Sequence, residues 1–264
     1  MLEPIARAAR QHVLIAALTR RELAARYRGG ALGFLWSLAN PLLLLAVYAV
    51  VFRYVFTPRA EIRPYALFLF GGVLVWGFVS ASLSDASETF RQNGPLLRKT
   101  TVAPEVFPSV AVGARLVHLL LALLVLGVAT VWASANGSVR PSAAAFAFPL
   151  VLLLLVATVF GLALAVSTLA VRFADVRDVV GNLLTLAFFA TPVLYPANAV
   201  PERFRPLLRL NPFAAFFNAV HDSVFFFRAV DPSDWLAMAV AAAASLAVGG
   251  ALFERWRDTI AEEA

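Results

Sequence analysis

The segment Arg20–Phe56, RRELAARYRGGALGFLWSLANPLLLLAVYAVVFRYVF, places the chain in lipid before anything else is read. Arg20, Arg21, Arg26 and Arg28 lead through Gly29, Gly30 and Gly33 into the apolar run Phe34–Phe56, whose strongly polar residues are Ser37, Asn40 and Arg53. As a helix that run is about 35 Å long, enough to cross a bilayer core of about 30 Å with some tilt. Glycine permits a sharp turn between a surface helix and a crossing one, and Pro41 frees a backbone carbonyl near the start of the span. Gly29, Gly30, Gly33 and Pro41 therefore read either as a hinge at the mouth of a membrane passage or as the loose, basic lead-in of an ordinary first span.

Composition agrees with an all-α integral membrane protein. The chain has 264 residues, 61% hydrophobic and 14% charged, with a mean hydropathy of +0.80. Soluble domains hold roughly 45–50% apolar and about 25% charged residues. The net charge of +6 is that of juxtamembrane arginine facing anionic lipid, and nucleic-acid binding is set aside. With no cysteine, disulfides, thiol catalysis and thiolate metal sites are excluded. His12, His118 and His221 are too scattered in sequence for a metal-ligand cluster. The apolar stretch Val13–Leu18, followed by Arg20-Arg21, does not read as a cleavable signal.

Taken in order, residues 4–28 read as a helix on the inner surface, or as a basic flank with no specific partner. Tyr65–Leu83 returns across the membrane. Ser84–Pro104 then forms a charged connection with a turn expected at Asn93-Gly94-Pro95 and a short element Leu96-Leu97-Arg98-Lys99. Two apolar residues beside two cations suit docking on another protein's groove, and a solvated loop has the same composition. A helix from Glu105 holds the third span, Leu116–Ala133. Arg115 near its inner boundary reads first as a snorkelling anchor. Ala143–Val171 is the fourth span, Arg172–Asp178 an inner turn of alternating charge, and Val179–Tyr195 a fifth span kinked at Pro192. Ala197–Leu210 and Phe213–Phe227 are expected as short helices dipping back into the outer leaflet, with Asn218, His221 and Asp222 on one face. Trp235–Phe253 is the sixth span.

These elements form one transmembrane domain: residues 1–33 as interface helix and hinge, 34–253 as a six-span bundle, and 254–264 as a tail. Arginine and lysine concentrate on the side of residues 7–28, Arg91, Arg98, Lys99, Arg172, Arg177, Arg255 and Arg257. That bias sets both termini in the cytoplasm.

The chain lacks a phosphate-cradling GxxxxGK[ST] loop, a nucleophile elbow and a zinc helix. No acid sits in the middle of an expected span, where an ion-driven carrier places one. The chain reads as a conduit driven from elsewhere. Trp36, Tyr48, Phe52, Tyr54 and Phe56 on the first span, with Phe188, Phe189 and Tyr195 on the fifth, offer faces over which sugar rings can slide. The same rings also suit interfacial belts and lipid contact.

Three stretches in order carry a resemblance: RRELAARYRGGALGFLWSLANPLLLL, NGPLLRKTTVAPEVFPSVAV and TPVLYPANAVPERFRPLLRLNPFAAFFNAV. With their spacing and the six-span frame, the chain resembles the membrane subunits of ABC exporters that move lipid-linked polysaccharides, such as O-antigen, capsule or teichoic acid. The resemblance implies a homodimer in the bacterial inner membrane with two separate subunits that bind ATP and Mg. This chain would bind no cofactor and catalyse nothing. It further implies that Asn93, Gly94, Pro95, Leu96, Leu97, Arg98 and Lys99 form a coupling helix on the ATPase subunit. Arg172, Asp175, Arg177 and Asp178 would make a second contact, and the first and fifth spans would line the channel. An ABC exporter of small drugs or lipids is the neighbouring reading. A membrane enzyme acting on lipid-linked sugars is the more distant one, with His221 and Asp222 as its candidates.

Overall fold

The computed structural model describes residues 3–26, 33–54, 64–99, 102–257 and 259–260. Gly29, Gly30 and Phe56 lie outside them, and so do the side chains of Phe52, Pro95, Leu96, Arg98 and Lys99. Among the described residues the structure is helical, without strands. In chain order the helices are α1 (Glu3–Arg10), α2 (His12–Arg26), α3 (Trp36–Tyr54), α4 (Tyr65–Lys99), α5 (Val106–Ala135), α6 (Phe148–Arg172), α7 (Val176–Ala190), α8 (Arg205–Leu210), α9 (Pro212–Val224) and α10 (Pro232–Arg255). The expected single surface helix is thus two, separated at Gln11. Gly33 opens the short turn before α3 with a positive φ of 49°, a conformation that glycine adopts without penalty.

Four of these helices are long and apolar enough to cross a membrane, and they fall in Tyr65–Gly94, Val106–Ala135, Ala143–Arg172 and Pro232–Arg255. The chain is a multi-pass membrane protein. α3 supplies a shorter apolar stretch, Trp36–Val51, and α7, at 15 residues, spans about 22 Å. The fifth expected span ends early because the residue before a proline is driven out of helical geometry. Thr191, before Pro192, is extended at φ −101°, ψ 142°, so Pro192 terminates α7 and does not kink it.

α4 is the centre of the bundle and packs against α3, α5, α6, α7 and α9. Phe68, Phe70, Val75 and Val79 on it are fully buried, and Trp76 meets Phe188, Phe213 and Phe217 at ring separations of 5.8–5.9 Å. The helix does not turn at Asn93-Gly94-Pro95 as its composition suggests. It runs 35 residues to Lys99, about 52 Å, well beyond a bilayer core of about 30 Å. Two features carry it through the proline. Leu83, Ala86, Phe90 and Leu97 are buried at helical spacing, with Phe90 and Leu97 packed in a cluster with Phe107, Phe253 and Ile260. On the outer face, Glu88 accepts from Arg91 at 3.0 Å and from Gln92 at 2.8 Å, pairs that stabilise a helix at these spacings.

At the far end, the turn after α7 is wedged against α4. A Cβ on Gly72 would lie 2.5 Å from the Val193 carbonyl oxygen, and the Tyr65 hydroxyl donates to the Leu194 carbonyl at 2.6 Å. α9 is buried along most of its length, tucked among α4, α6 and α10, whereas α8 lies largely exposed.

α6 and α10 cross at backbone contact. A Cβ at Gly249 would sit 1.9 Å from the Gly161 carbonyl oxygen, and one at Gly161 would sit 2.4 Å from the Ser245 carbonyl carbon. In lipid, helix association rests on such close van der Waals packing of small residues. Gly249→Val is expected to cost about 3 kcal/mol or more through overpacking. Gly127→Ala, where an added Cβ meets nothing within 4 Å, is expected to be neutral or stabilising, by up to about 1 kcal/mol through helix propensity. Denaturation midpoints of the detergent-solubilised variants read the difference.

Candidate functional site at the charged end of the bundle

Both ends of the described chain meet at one end of the bundle, and acids there are held by arginines from other elements. Glu105, fully buried just before α5, accepts from the Arg7 Nε at 2.7 Å. Arg7 also pairs with Glu254 at the end of α10, and the Arg257 Nε stands 3.7 Å from the second Glu105 oxygen. Burial pulls the Arg7 pKa down, but its hydrogen bonds to Glu254 and Glu105 outweigh that and hold it above the ordinary value. This knot joins α1, the segment after α4 and the end of α10. α2 is seated beside it, where a Cβ on Gly113 of α5 would meet the Thr19 Oγ1 at 3.2 Å.

A second cluster lies deeper. Arg115 grips Asp85 with two charge-assisted hydrogen bonds of 2.6 and 2.8 Å, and the NH2 of Arg26 approaches the same carboxylate at 3.4 Å. Arg115 is thus more than an anchor to the interface. Arg26 and Arg115, but not Asp85 itself, line a cleft of ≈ 400 Å³ that also takes in Trp36, Asn40, Pro41 and His118.

A third cluster joins the expected coupling elements. Arg177 of α7 donates to Glu88 of α4 at 2.8 Å, over a cleft of ≈ 500 Å³ lined by Ser84, Ser87, Asp178 and Asn182. The α4 extension and the turn after Arg172 therefore stand side by side. Asn93 donates back to the Thr89 carbonyl at 2.8 Å, and Asp175 occupies the position before α7 without a capping bond from its side chain. Leu97 points inward and is 7% exposed, so it holds the arm in place and presents no apolar contact outward.

The aromatic residues fall into separate groups. Tyr54 and Phe189 are exposed at 74% and 67%, and Trp36 is partly so. Tyr48 packs beside Phe68 and Leu69, Phe188 stacks edge-on with Phe189 at 5.1 Å, and the Tyr195 hydroxyl donates to the Phe189 carbonyl at 2.8 Å. α3 and α7 both expose apolar faces, through Leu42, Leu43, Val47 and Val50 on one and Val179, Leu183, Leu186 and Phe189 on the other.

His221 and Asp222 do not form a catalytic pair. His221 is buried and stacked on Phe68 at 3.9 Å, while Asp222 accepts from Arg228 at 2.7 Å. Among the described residues no group of three or more His, Cys, Asp or Glu could hold a metal. Sequence reasoning missed Glu105 as a site residue. Its partners lie 98 and more residues away in the chain, and no local spacing announces them.

The family described as ABC-2 type transporter matches residues 13–225. The chain is 34% identical over 255 residues to the O-antigen export system permease protein RfbA of Myxococcus xanthus, covering 94% of each. Two proteins of that same name from Klebsiella pneumoniae are each 30% identical over 76% of both chains.

Removing one partner of a buried ion pair costs about 3–5 kcal/mol. Glu105→Ala is expected at the low end, about 3 kcal/mol, because Arg7 is partly hydrated. Glu3→Ala, at the exposed rim of the same knot, shifts the unfolding midpoint by less than about 0.5 kcal/mol equivalent.

Proposed function

The chain belongs to the ABC-2 type transporter family, and from that premise we propose that it is the permease subunit of an exporter of lipid-linked O-antigen-type polysaccharide. It is a transport subunit and not an enzyme. ATP and Mg act on two separate subunits, and this chain moves when they engage.

The observation that carries the reading is the meeting, at one end of the bundle, of the α4 extension, the Arg172–Asp178 turn and the N-terminal helices. An ATPase subunit docked there reaches Asn93–Lys99 and Arg172–Asp178 together. Force on the α4 arm passes directly into the centre of the bundle, because arm and core are one helix. The exposed arginines of this end, among them Arg10, Arg20, Arg91 and Arg177, favour its lying in the cytoplasm of a bacterial inner membrane. α3 and α7 complete six crossings, and their exposed apolar faces are covered by a second copy, with the aromatic residues along the passage between copies. α8 and α9 dip back from the outer side and cap the exit.

Arg98→Glu with Lys99→Glu on the cytoplasmic tip is expected to leave the permease folded and to abolish ATP-driven export. Export by inside-out vesicles and co-purification with the ATPase subunit check it. Full export in that variant is incompatible with coupling through this arm. Asp222→Asn retains export in the same assay, whereas a membrane enzyme using that carboxylate loses its activity.

A further inference from the structure

The cleft beside the Asp85–Arg115 pair carries charge at one end and apolar side chains at the other. It opens between α2, α3, α4 and α5. Its charged end carries Arg26, Arg115 and His118, and its inner end is apolar, with Leu74, Phe78, Leu119 and Ala122. Its ≈ 400 Å³ lies within the roughly 300–1,000 Å³ of ligand clefts. That is room for a phosphate headgroup and a few methylenes, and too little for a whole polyprenyl chain.

Arg26 also borders a second cleft, of ≈ 520 Å³, lined on its polar side by Arg21, Glu22, Thr89, Gln92 and Asn93. Leu18, Ala25, Phe107 and Val110 line the rest of it, so on passing Arg26 hydroxyl and amide groups join the cations while both clefts keep apolar walls. A lipid-linked sugar presents hydrocarbon, phosphate and sugar in turn, and Leu74 with Leu119, the two arginines, and the hydroxyl and amide groups can each meet one of these parts. Resting on the functional reading above, we infer that these two clefts are the loading site for the lipid–phosphate–sugar junction of the substrate. The phosphate lies between Arg26 and Arg115, the first lipid carbons lie toward Leu74 and Leu119, and the first sugar lies toward Thr89 and Gln92.

The acids facing the site define its behaviour. Asp85 takes the Nε and NH2 of Arg115, two of the five N–H donors of a guanidinium. It shares its charge with Arg26, which also meets Glu22 at 3.3 Å. Counting Arg21, Arg26 and Arg115 against Glu22 and Asp85 leaves one positive charge. Asp85 therefore acts as a stand-in for the phosphate, holding both arginines in place until the ligand displaces it. Bidentate arginine recognition fits either anion.

The test uses the permease with its ATPase subunit in phosphatidylcholine nanodiscs, titrated with a short-chain polyprenyl diphosphate carrying one hexose. Asp85→Asn removes the competitor, and the probe binds severalfold more tightly. Asp85→Asn with Arg115→Gln removes competitor and donor together, and affinity falls about tenfold below wild type, as loss of a charge-assisted bond predicts. Both variants lack the ion pair, so a folding defect lowers both alike and cannot mimic opposite shifts. Equal losses in the two variants, or wild-type affinity in the double one, overturn the assignment. Phosphatidylglycerol at the same mole fraction is expected not to displace the probe, and displacement makes this a site for bulk anionic lipid instead. Export of polysaccharide by the wild-type complex, measured alongside, separates failure of the site from failure of the functional reading.

Discussion

Asp85, Glu88 and Glu105 stand where the apolar part of the bundle gives way to its charged end, and each is held by an arginine from another element. Glu105 is wholly out of water and needs such a partner, while Asp85 and Glu88 keep partial access to solvent. Together the pairs fix α1 to the end of α10, α5 to α4, and α7 to the α4 extension. The ion pairs add little through attraction alone, because desolvation offsets much of it. Their effect is on register, since a shift of one helix past another separates these pairs. The apolar core around Trp76 sets how closely the helices approach, and the charged end sets how they align.

α4 shows how one element serves two solvents. Its first half carries fully buried Phe68, Phe70, Val75 and Val79, and its last part trades lipid for an internal stripe of Phe90 and Leu97 with polar pairs outside. Because the helix is unbroken, the part that meets water and the part that packs the core move as one body. A loop in the place of the α4 extension would absorb displacement instead of passing it on.

Much of this was legible in the sequence. Long apolar runs mark α4, α5, α6 and α10, because in lipid the backbone must satisfy its own hydrogen bonds within each helix. The three family-like stretches point to the transport role that the relatives' names support. Other features were hidden for identifiable reasons. Asn93-Gly94-Pro95 has the composition of a turn, but the packing of Phe90 and Leu97 against Phe107 and Phe253 overrides local preference. Pro192 within an apolar run has the composition of a kink, yet its effect on Thr191 ends the helix outright. Of the candidate site, the charged breaks between apolar runs were visible, and Glu88 and Arg177 from two of them meet in the fold. Glu105 and the pairing of Asp85 with Arg115 were not, since they depend on residues brought together only by the fold.

The glycine crossing of α6 and α10 has a mechanical consequence. Two helices whose backbones touch at Gly161 and Gly249 have no intervening side chains to slide over or to change rotamer. They behave as a single strut, stiff against shear, on one flank of the bundle. Movement within the bundle is then taken up elsewhere, at helices such as α3 and α7 that expose apolar faces. The molecule is thus uneven in compliance: a rigid keel at one crossing and more yielding walls elsewhere.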